Sequence, residues 1–145
     1  SENITALFTV LINHLLAAYH SQENIEKESH YQQELKLLRL QMQNTLTEEH
    51  SISKHATQLC ISNSHFQHLY SQLFGISFQN DLIRMRIKYA EVLLQTTDLS
   101  IEQIAEACGY SNCVHFFRQF KQIEGTTPAK YRNAIPSPEN LIPSK

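Results

Sequence analysis

The chain has 145 residues, enough for one domain, or for one domain with a helical appendage. Hydrophobic residues make up 41 % and charged ones 18 %, a balance that supports a core and excludes a disordered chain. The net charge of −2 argues against a strongly cationic, non-specific nucleic-acid binder, and with 3 Gly and 4 Pro an all-β sandwich or a Gly-rich nucleotide fold is disfavoured against an all-α chain. No unbroken run of 18 apolar residues occurs, which speaks against a membrane span, and no basic-then-apolar leader opens the chain. A start at Ser1 rather than Met reads as a fragment lacking an N-terminal part. Cys60, Cys108 and Cys113 are odd in number and form no Cys-x-x-Cys. They read as reduced, buried thiols of a cytoplasmic protein, without disulfide, metal or cofactor.

Ile4, Leu7, Phe8, Leu11, Leu15 and Ala18 step by three and four and predict a helix over 3–20. Val10, Ile12, Leu16 and Tyr19 widen its apolar face. Residues 21–30 are polar and read as a solvated linker or a continuation of the helix. A second helix is expected over about 31–47, with Leu35, Leu38, Met42 and Leu46 on one face. Ile52, Ala56 and Leu59 mark a short helix. Ser62 then caps one carrying Phe66, Leu69, Tyr70 and Leu73, which Gly75 ends. Ser77 caps a long helix over about 78–96, with Leu82, Ile83, Ile87, Ala90, Leu93 and Leu94 inward. Ser100-Ile101-Glu102-Gln103 is a capping box for a helix ending at Gly109. Ser111 opens the next helix, with Phe116, Phe120 and Ile123, ended by Gly125. Thr127-Pro128 starts a short last helix to about 134. The stretch 135–145, with three Pro, reads as a disordered tail.

The second half repeats the first. Ile52, Ala56 and Ser62 recur 49 residues on as Ile101, Ala105 and Ser111, whereas Phe66, Tyr70 and Gly75 recur 50 residues on as Phe116, Phe120 and Gly125. The one-residue slip falls in the turn or early in the second helix. Each unit is a short helix, a tight turn and a second helix, the pattern of a helix-turn-helix. The spacer helix of about 19 residues would span roughly 28 Å, near one turn of B-DNA. Two units so spaced suit successive major grooves on one face of a duplex.

The run Ile101-x-x-Ile104-Ala105-x-x-x-Gly109-Tyr110-Ser111, Phe116-x-Arg118-x-Phe120-Lys121, Gly125-x-Thr127-Pro128-x-x-Tyr131-Arg132 closely resembles the signature of the AraC/XylS family of bacterial transcription regulators. Arg86-Ile87-x-x-Ala90-x-x-Leu93-Leu94 resembles that family's linker helix, and Ala56 to Gly75 its first, more variable helix-turn-helix. The resemblance covers about 50–133, with 35–47 similar to the helix that commonly comes before. It implies an AraC-type DNA-binding domain over 31–134, with units at about 52–74 and 100–123. It also implies double-stranded promoter DNA and RNA polymerase as partners. An effector would bind a sensor domain outside this chain, beside which residues 1–30 form a terminal helix and linker.

By the same resemblance, bases are read from the second helix of each unit. The matching positions are Asn63, Ser64, Gln67 and His68 in the first, and Asn112, Cys113, Val114, Phe117 and Arg118 in the second. Arg118 suits bidentate bonding to guanine and Gln67 to adenine, pairings worth about 1–3 kcal/mol of discrimination each. The alternative for Arg118 is a phosphate contact or an ion pair with Glu102 or Glu106. His68 stands where the family often has Arg, which brings pH dependence into view. Phosphate contacts fall to Lys54, Arg84, Lys88, Ser111, Lys121 and Lys130, while Arg86 and Arg132 are expected to be partly structural. Ten basic and nine acidic residues lie between 31 and 133, so a DNA face requires segregation, with Glu48, Glu49, Glu91 and Asp98 elsewhere. Cys60 occupies the turn position that is Gly109 in the second unit, where a non-Gly residue carries strain. The competing reading is a helical protein-interaction module that touches DNA weakly. The broad apolar face of 1–20 suggests a homodimer. No Gly-rich phosphate loop, His-Glu-x-x-His helix or catalytic triad is present, so an enzyme is not expected.

Overall fold

The computed structural model describes residues 2–136. Its helices are α1 (Glu2–Asn44), α2 (Ile52–Gln58), α3 (Asn63–Phe74), α4 (Phe78–Thr96), α5 (Ile101–Ala107), α6 (Cys113–Glu124) and α7 (Pro128–Ala134), with no strand among the described residues. The all-α expectation and the starts of α2 to α5 and α7 hold. The chain divides into two compact units, Ser1–Arg39 and Leu40–Lys145. Residues 137–145, most of the expected tail, lie outside the described residues.

The break expected at 21–30 is absent, because α1 runs through it. Gln, Glu and Lys are good helix formers, and nothing there breaks a helix. Lys27 Nζ donates to Glu23 Oε1 at 2.8 Å, one turn apart, and Gln22 Nε2 to Glu26 Oε1 at 3.3 Å. Leu35, Leu38, Met42 and Leu46 are all buried, as their spacing predicts. The large apolar side chains from Ile4 to Tyr19 are all at least half exposed. α1 also holds an 18-residue window apolar enough, by length and composition, to cross a membrane, and none of it is buried. The exclusion of a span on the lack of an unbroken apolar run therefore fails. Asn3, Thr5, Thr9, Asn13 and His14 interrupt the run without adding formal charge.

In the second compact unit, each half is built around stacked rings. Phe66 and Tyr70 of α3 meet Phe78 of α4 edge to face, with centroids 5.4 Å apart in both pairs. The Tyr70 hydroxyl donates to buried Asp81 Oδ2 at 2.6 Å. The other half buries Phe116 and Phe120 against Ile87, Ala90, Leu94, Ile104, Ala105 and Cys108, and Tyr131 of α7 meets Phe120 edge to face at 5.5 Å. Thus α4 contributes to both cores and is the rigid element shared by the two halves.

The turns explain the slip in the repeat. Ile61 N–H donates to Ala56 O and Tyr110 N–H to Ala105 O, both at 3.0 Å and still 49 residues apart. The caps that follow are Ser62 and Asn112, 50 residues apart. The second turn thus has one extra residue, Ser111, which is in the turn and does not cap α6. Asn112 Oδ1 accepts from Val114 N–H at 2.8 Å instead, and Asn caps as well as Ser. Cys60 adopts φ 56°, the left-handed conformation that Gly109 takes at φ 88°, so the first turn keeps its geometry and bears the strain. The expectation of three buried thiols fails at that turn and beyond it: only Cys108 is buried, Cys113 is half-buried and Cys60 is exposed.

Gly109 has a second constraint. A Cβ there would run into the carbonyl of Leu46 and the Nε of Arg86, whereas Gly75 and Gly125 face open space. Gly75→Ala should therefore cost about 1 kcal/mol, the left-handed penalty alone. Gly109→Ala should cost more than about 3 kcal/mol by urea unfolding, because backbone must move as well.

Glu124 at the end of α6 bonds to Glu91 of α4, and this bond, helped by burial, raises the Glu124 carboxyl to about 6. The folded chain then holds a proton that the unfolded chain releases near 4.5, so stability falls as pH rises from about 4.5 through about 6. Glu124→Gln should leave stability unchanged near pH 4.5 and raise it by roughly 1 kcal/mol at pH 7.5, read as a shift in Tm.

Candidate nucleic-acid interface

α3 and α6 present equivalent faces. Phe66 and Tyr70 turn one side of α3 into the core, and Phe116 and Phe120 do the same for α6. Ser64, Gln67, His68 and Ser71 therefore lie on the opposite, exposed side of α3. Fifty residues on, Val114, Phe117, Arg118 and Lys121 are exposed on α6. Each set spans two turns at steps of three and four, the width that a helix offers to a groove. Asn63 is exposed in the first turn of α3, and its counterpart Cys113 is half-buried. Asn112 is exposed, but its carbonyl oxygen is committed to capping, which leaves its amide hydrogens for a ligand.

The two faces differ in chemistry. The α3 face carries amide, hydroxyl and imidazole groups without formal charge, whereas the α6 face carries Arg118 and Lys121. No carboxylate pairs with Arg118 among the described residues, so the suggested ion pair with Glu102 or Glu106 is not formed. Phe117 is 36 % exposed, yet its ring approaches that of Phe116 at 6.1 Å, so it rests partly on the protein. Cys113 is no activated thiol, since burial and then the charge of Glu102 push its pKa up.

The cations sort into two groups. Lys54, Arg84, Lys121 and Lys130 are exposed, as is Ser111. Lys88 is exposed as well, but its Nζ lies 3.1 Å from Glu91. Glu91 is therefore not segregated from the basic residues as expected. Arg84 borders an open groove with Ile76, Asn80, Ile83, Gln122 and Ile123, a feature that crosses both halves and has no local signal in the sequence. His115, exposed beside Val114, has no signal in the sequence pattern either.

Arg86 and Arg132 are structural. Arg86 Nη2 donates to Leu46 O at 3.1 Å, and its guanidinium lies 5.6 Å from the centre of the Tyr110 ring. Burial pushes the pKa of this guanidinium down and that of the Tyr110 hydroxyl up to about 12. Arg132 spends all three nitrogens on carbonyls: Nη1 on Leu99 at 2.7 Å, Nη2 on Thr97 at 3.3 Å and Nε on Leu94 at 3.4 Å. It thereby caps the end of α4 and fixes the entry to α5.

With this geometry in view, residues 55–134 match the family model described as a helix-turn-helix domain. The chain belongs to the AraC/XylS family of helix-turn-helix transcriptional regulators. Members of this family are DNA-binding regulators and not a class of enzyme. An uncharacterised HTH-type transcriptional regulator of Staphylococcus aureus is 29 % identical over 134 residues, which are 92 % of this chain and 17 % of that protein. The chain thus spans about a sixth of the length of such relatives. The arabinose operon regulatory protein of Salmonella typhimurium is 33 % identical over 81 residues, 56 % of this chain and 29 % of that protein. Among solved structures, the C-terminal domain of AraT, a response regulator from Geobacillus stearothermophilus, superposes with TM-score 0.69 at 28 % identity, covering 77 % of this chain and 93 % of that one. The DNA-binding domain of AdpA, solved with a target DNA, gives 0.66 at 28 % identity, with coverages of 69 % and 90 %.

Proposed function

We propose that this AraC-family domain reads promoter DNA by placing α3 and α6 in successive major grooves. The observation that carries the reading is the pair of equivalent exposed faces, one on each side of α4, each backed by a buried ring pair. Ser64, Gln67 and His68, with Asn63, would read one half-site, and Val114, Phe117 and Arg118, with Asn112 and Cys113, the other. Arg118 supplies bidentate recognition of guanine, and Gln67 that of adenine. Lys54, Arg84, Ser111, Lys121 and Lys130 supply phosphate contacts, with Lys88 weakened by Glu91. Activation would follow from contact with RNA polymerase, and an effector would act through a segment outside this chain. The setting is the bacterial cytoplasm, on the nucleoid. The AdpA domain crystallised with its target DNA supports this reading. The uncharged face of α3 favours the second reading, a protein-interaction module with weak DNA contact.

Selection of random duplex DNA by this chain at low salt tests the proposal. The expected result is two enriched blocks centred about one helical turn apart, with Gln67→Ala and Arg118→Ala each relaxing one block by about 1–3 kcal/mol. A single block lost with Arg118→Ala alone would make the α3 unit a protein contact. No enrichment by the folded chain would overturn the DNA reading for the isolated segment.

The exposed apolar side chains of residues 4–19 support self-association. Sedimentation of the whole chain should give twice the monomer mass, and removal of residues 1–30 should halve it. A monomeric whole chain would sink the dimer.

A further inference from the structure

The first half departs from the internal repeat where a core residue is expected. Fifty-residue arithmetic applies after the turn, but before it the offset is 49, so His55 matches Ile104 and His50 matches Leu99. Ile104 is fully buried, and Leu99 packs on the same core. In their places the first half carries two imidazoles. His55 is 5 % exposed, with its ring 6.3 Å from that of Phe66 and 5.6 Å from that of Phe78.

The two His rings touch each other. His50 Nδ1 lies 3.3 Å from His55 Nε2. The ring planes differ by only 21° with centroids 5.5 Å apart, so the nitrogens meet edge to edge in a hydrogen bond and the rings do not stack face to face. The outer nitrogens are also engaged. His50 Nε2 is 2.8 Å from Thr45 O and 3.2 Å from Thr45 Oγ1. The Thr45 hydroxyl gives its hydrogen to Gln41 O at 2.7 Å, so His50 Nε2 must be the donor. His55 Nδ1 meets Gln58 Oε1 at 3.1 Å.

Counting hydrogens decides what this chain of bonds can hold. In the neutral pair, His55 Nε2–H donates to His50 Nδ1, and Gln58 turns its NH2 towards His55 Nδ1. With one added proton, His55 Nδ1 becomes a donor to Gln58 Oε1, the orientation of the amide seen in the structure. Both states are fully bonded. With two added protons, two N–H groups face each other at the central contact, and like charges meet in a half-buried site.

We propose that His50 and His55 form a proton-operated latch that holds α2 and α3 in place and releases this reading unit, and not the second, in acid. The groups around the latch favour a low charge. Lys54 lies on α2, the rings of Phe66 on α3 and Phe78 on α4 approach His55, and the buried Asp81 carboxylate of α4 accepts from Tyr70. Glu48 and Glu49, on the loop before α2, are exposed. Desolvation pushes the pKa of His55 down, with smaller contributions in that direction from His50 and Lys54, against a bond to Gln58 that raises it. A lowered folded value means the fold binds fewer protons than the unfolded chain, so stability is lost as pH falls below the ordinary His value of 6.5. Any effect on DNA rests on the proposed reading, but the latch itself does not.

The test follows the full chain without DNA, by NMR of the His rings and of amide protection between about pH 7.5 and pH 5. The His55 ring should take up its proton only below the ordinary His value of 6.5, and protection in α2 and α3 should fall about tenfold relative to α5 and α6 as it does so. The double variant His50→Leu/His55→Ile, which copies the second half, should hold that ratio constant with pH. If it does not fold, His50→Gln alone should remove most of the fall, since no second charge can form. A His55 ring that titrates at the ordinary value, an equal loss in both halves, or a fall that persists in the variants would overturn the latch.

Discussion

The guanidinium of Arg86 ties together three segments that are distant in sequence. It starts from the middle of α4, holds the carbonyl of Leu46 after α1, and lies over Tyr110 in the turn between α5 and α6. Gly109 is bare of a side chain because that carbonyl and that guanidinium occupy the space a Cβ would need. One half-buried cation thus sets where the second turn sits, and through the turn where α6 begins. Arg132 does the same at the other end of α4, where three carbonyls left open by the helix end and its loop are satisfied at once. Replacing either cation would strand buried polar groups, which costs more than the bonds themselves contribute.

The repeat is one of backbone and core, not of surface. Both turns close with the same hydrogen bond, and both second helices bury a ring pair and end in a left-handed Gly. What faces outward has diverged. The α6 face carries the cations Arg118 and Lys121, whereas the α3 face has neutral donors and acceptors. The first half has also given up some of its inner regularity, with a strained Cys60 in its turn and an imidazole pair in place of aliphatic packing.

Much of this protein was legible in its sequence because the signals are local. A Ser or Thr followed by apolar residues at steps of three and four specifies a helix start, since the cap and the buried stripe are both set within two turns. The caps Ser62, Ser77, Ser100 and Thr127, the terminators Gly75 and Gly125 and the buried rings could all be read in that way. So could the exposed faces of α3 and α6, because burial of Phe66, Tyr70, Phe116 and Phe120 determines by rotation which residues are left outside.

What only the tertiary structure decided depends on partners far along the chain. Ser111 looked like a cap by analogy with Ser62, but the closing bond at Tyr110 pushes the helix start one residue on, to Asn112. Nothing near Arg132 shows that its nitrogens reach residues more than thirty positions away. His50, in the loop before α2, and His55 within it carry no sequence signal that Thr45, Gln58, Phe66 and Phe78 close around them. Local periodicity dictates which side of a helix is buried. Which atoms meet a polar group once it is buried is settled by packing between segments, and short-range pattern carries no record of that.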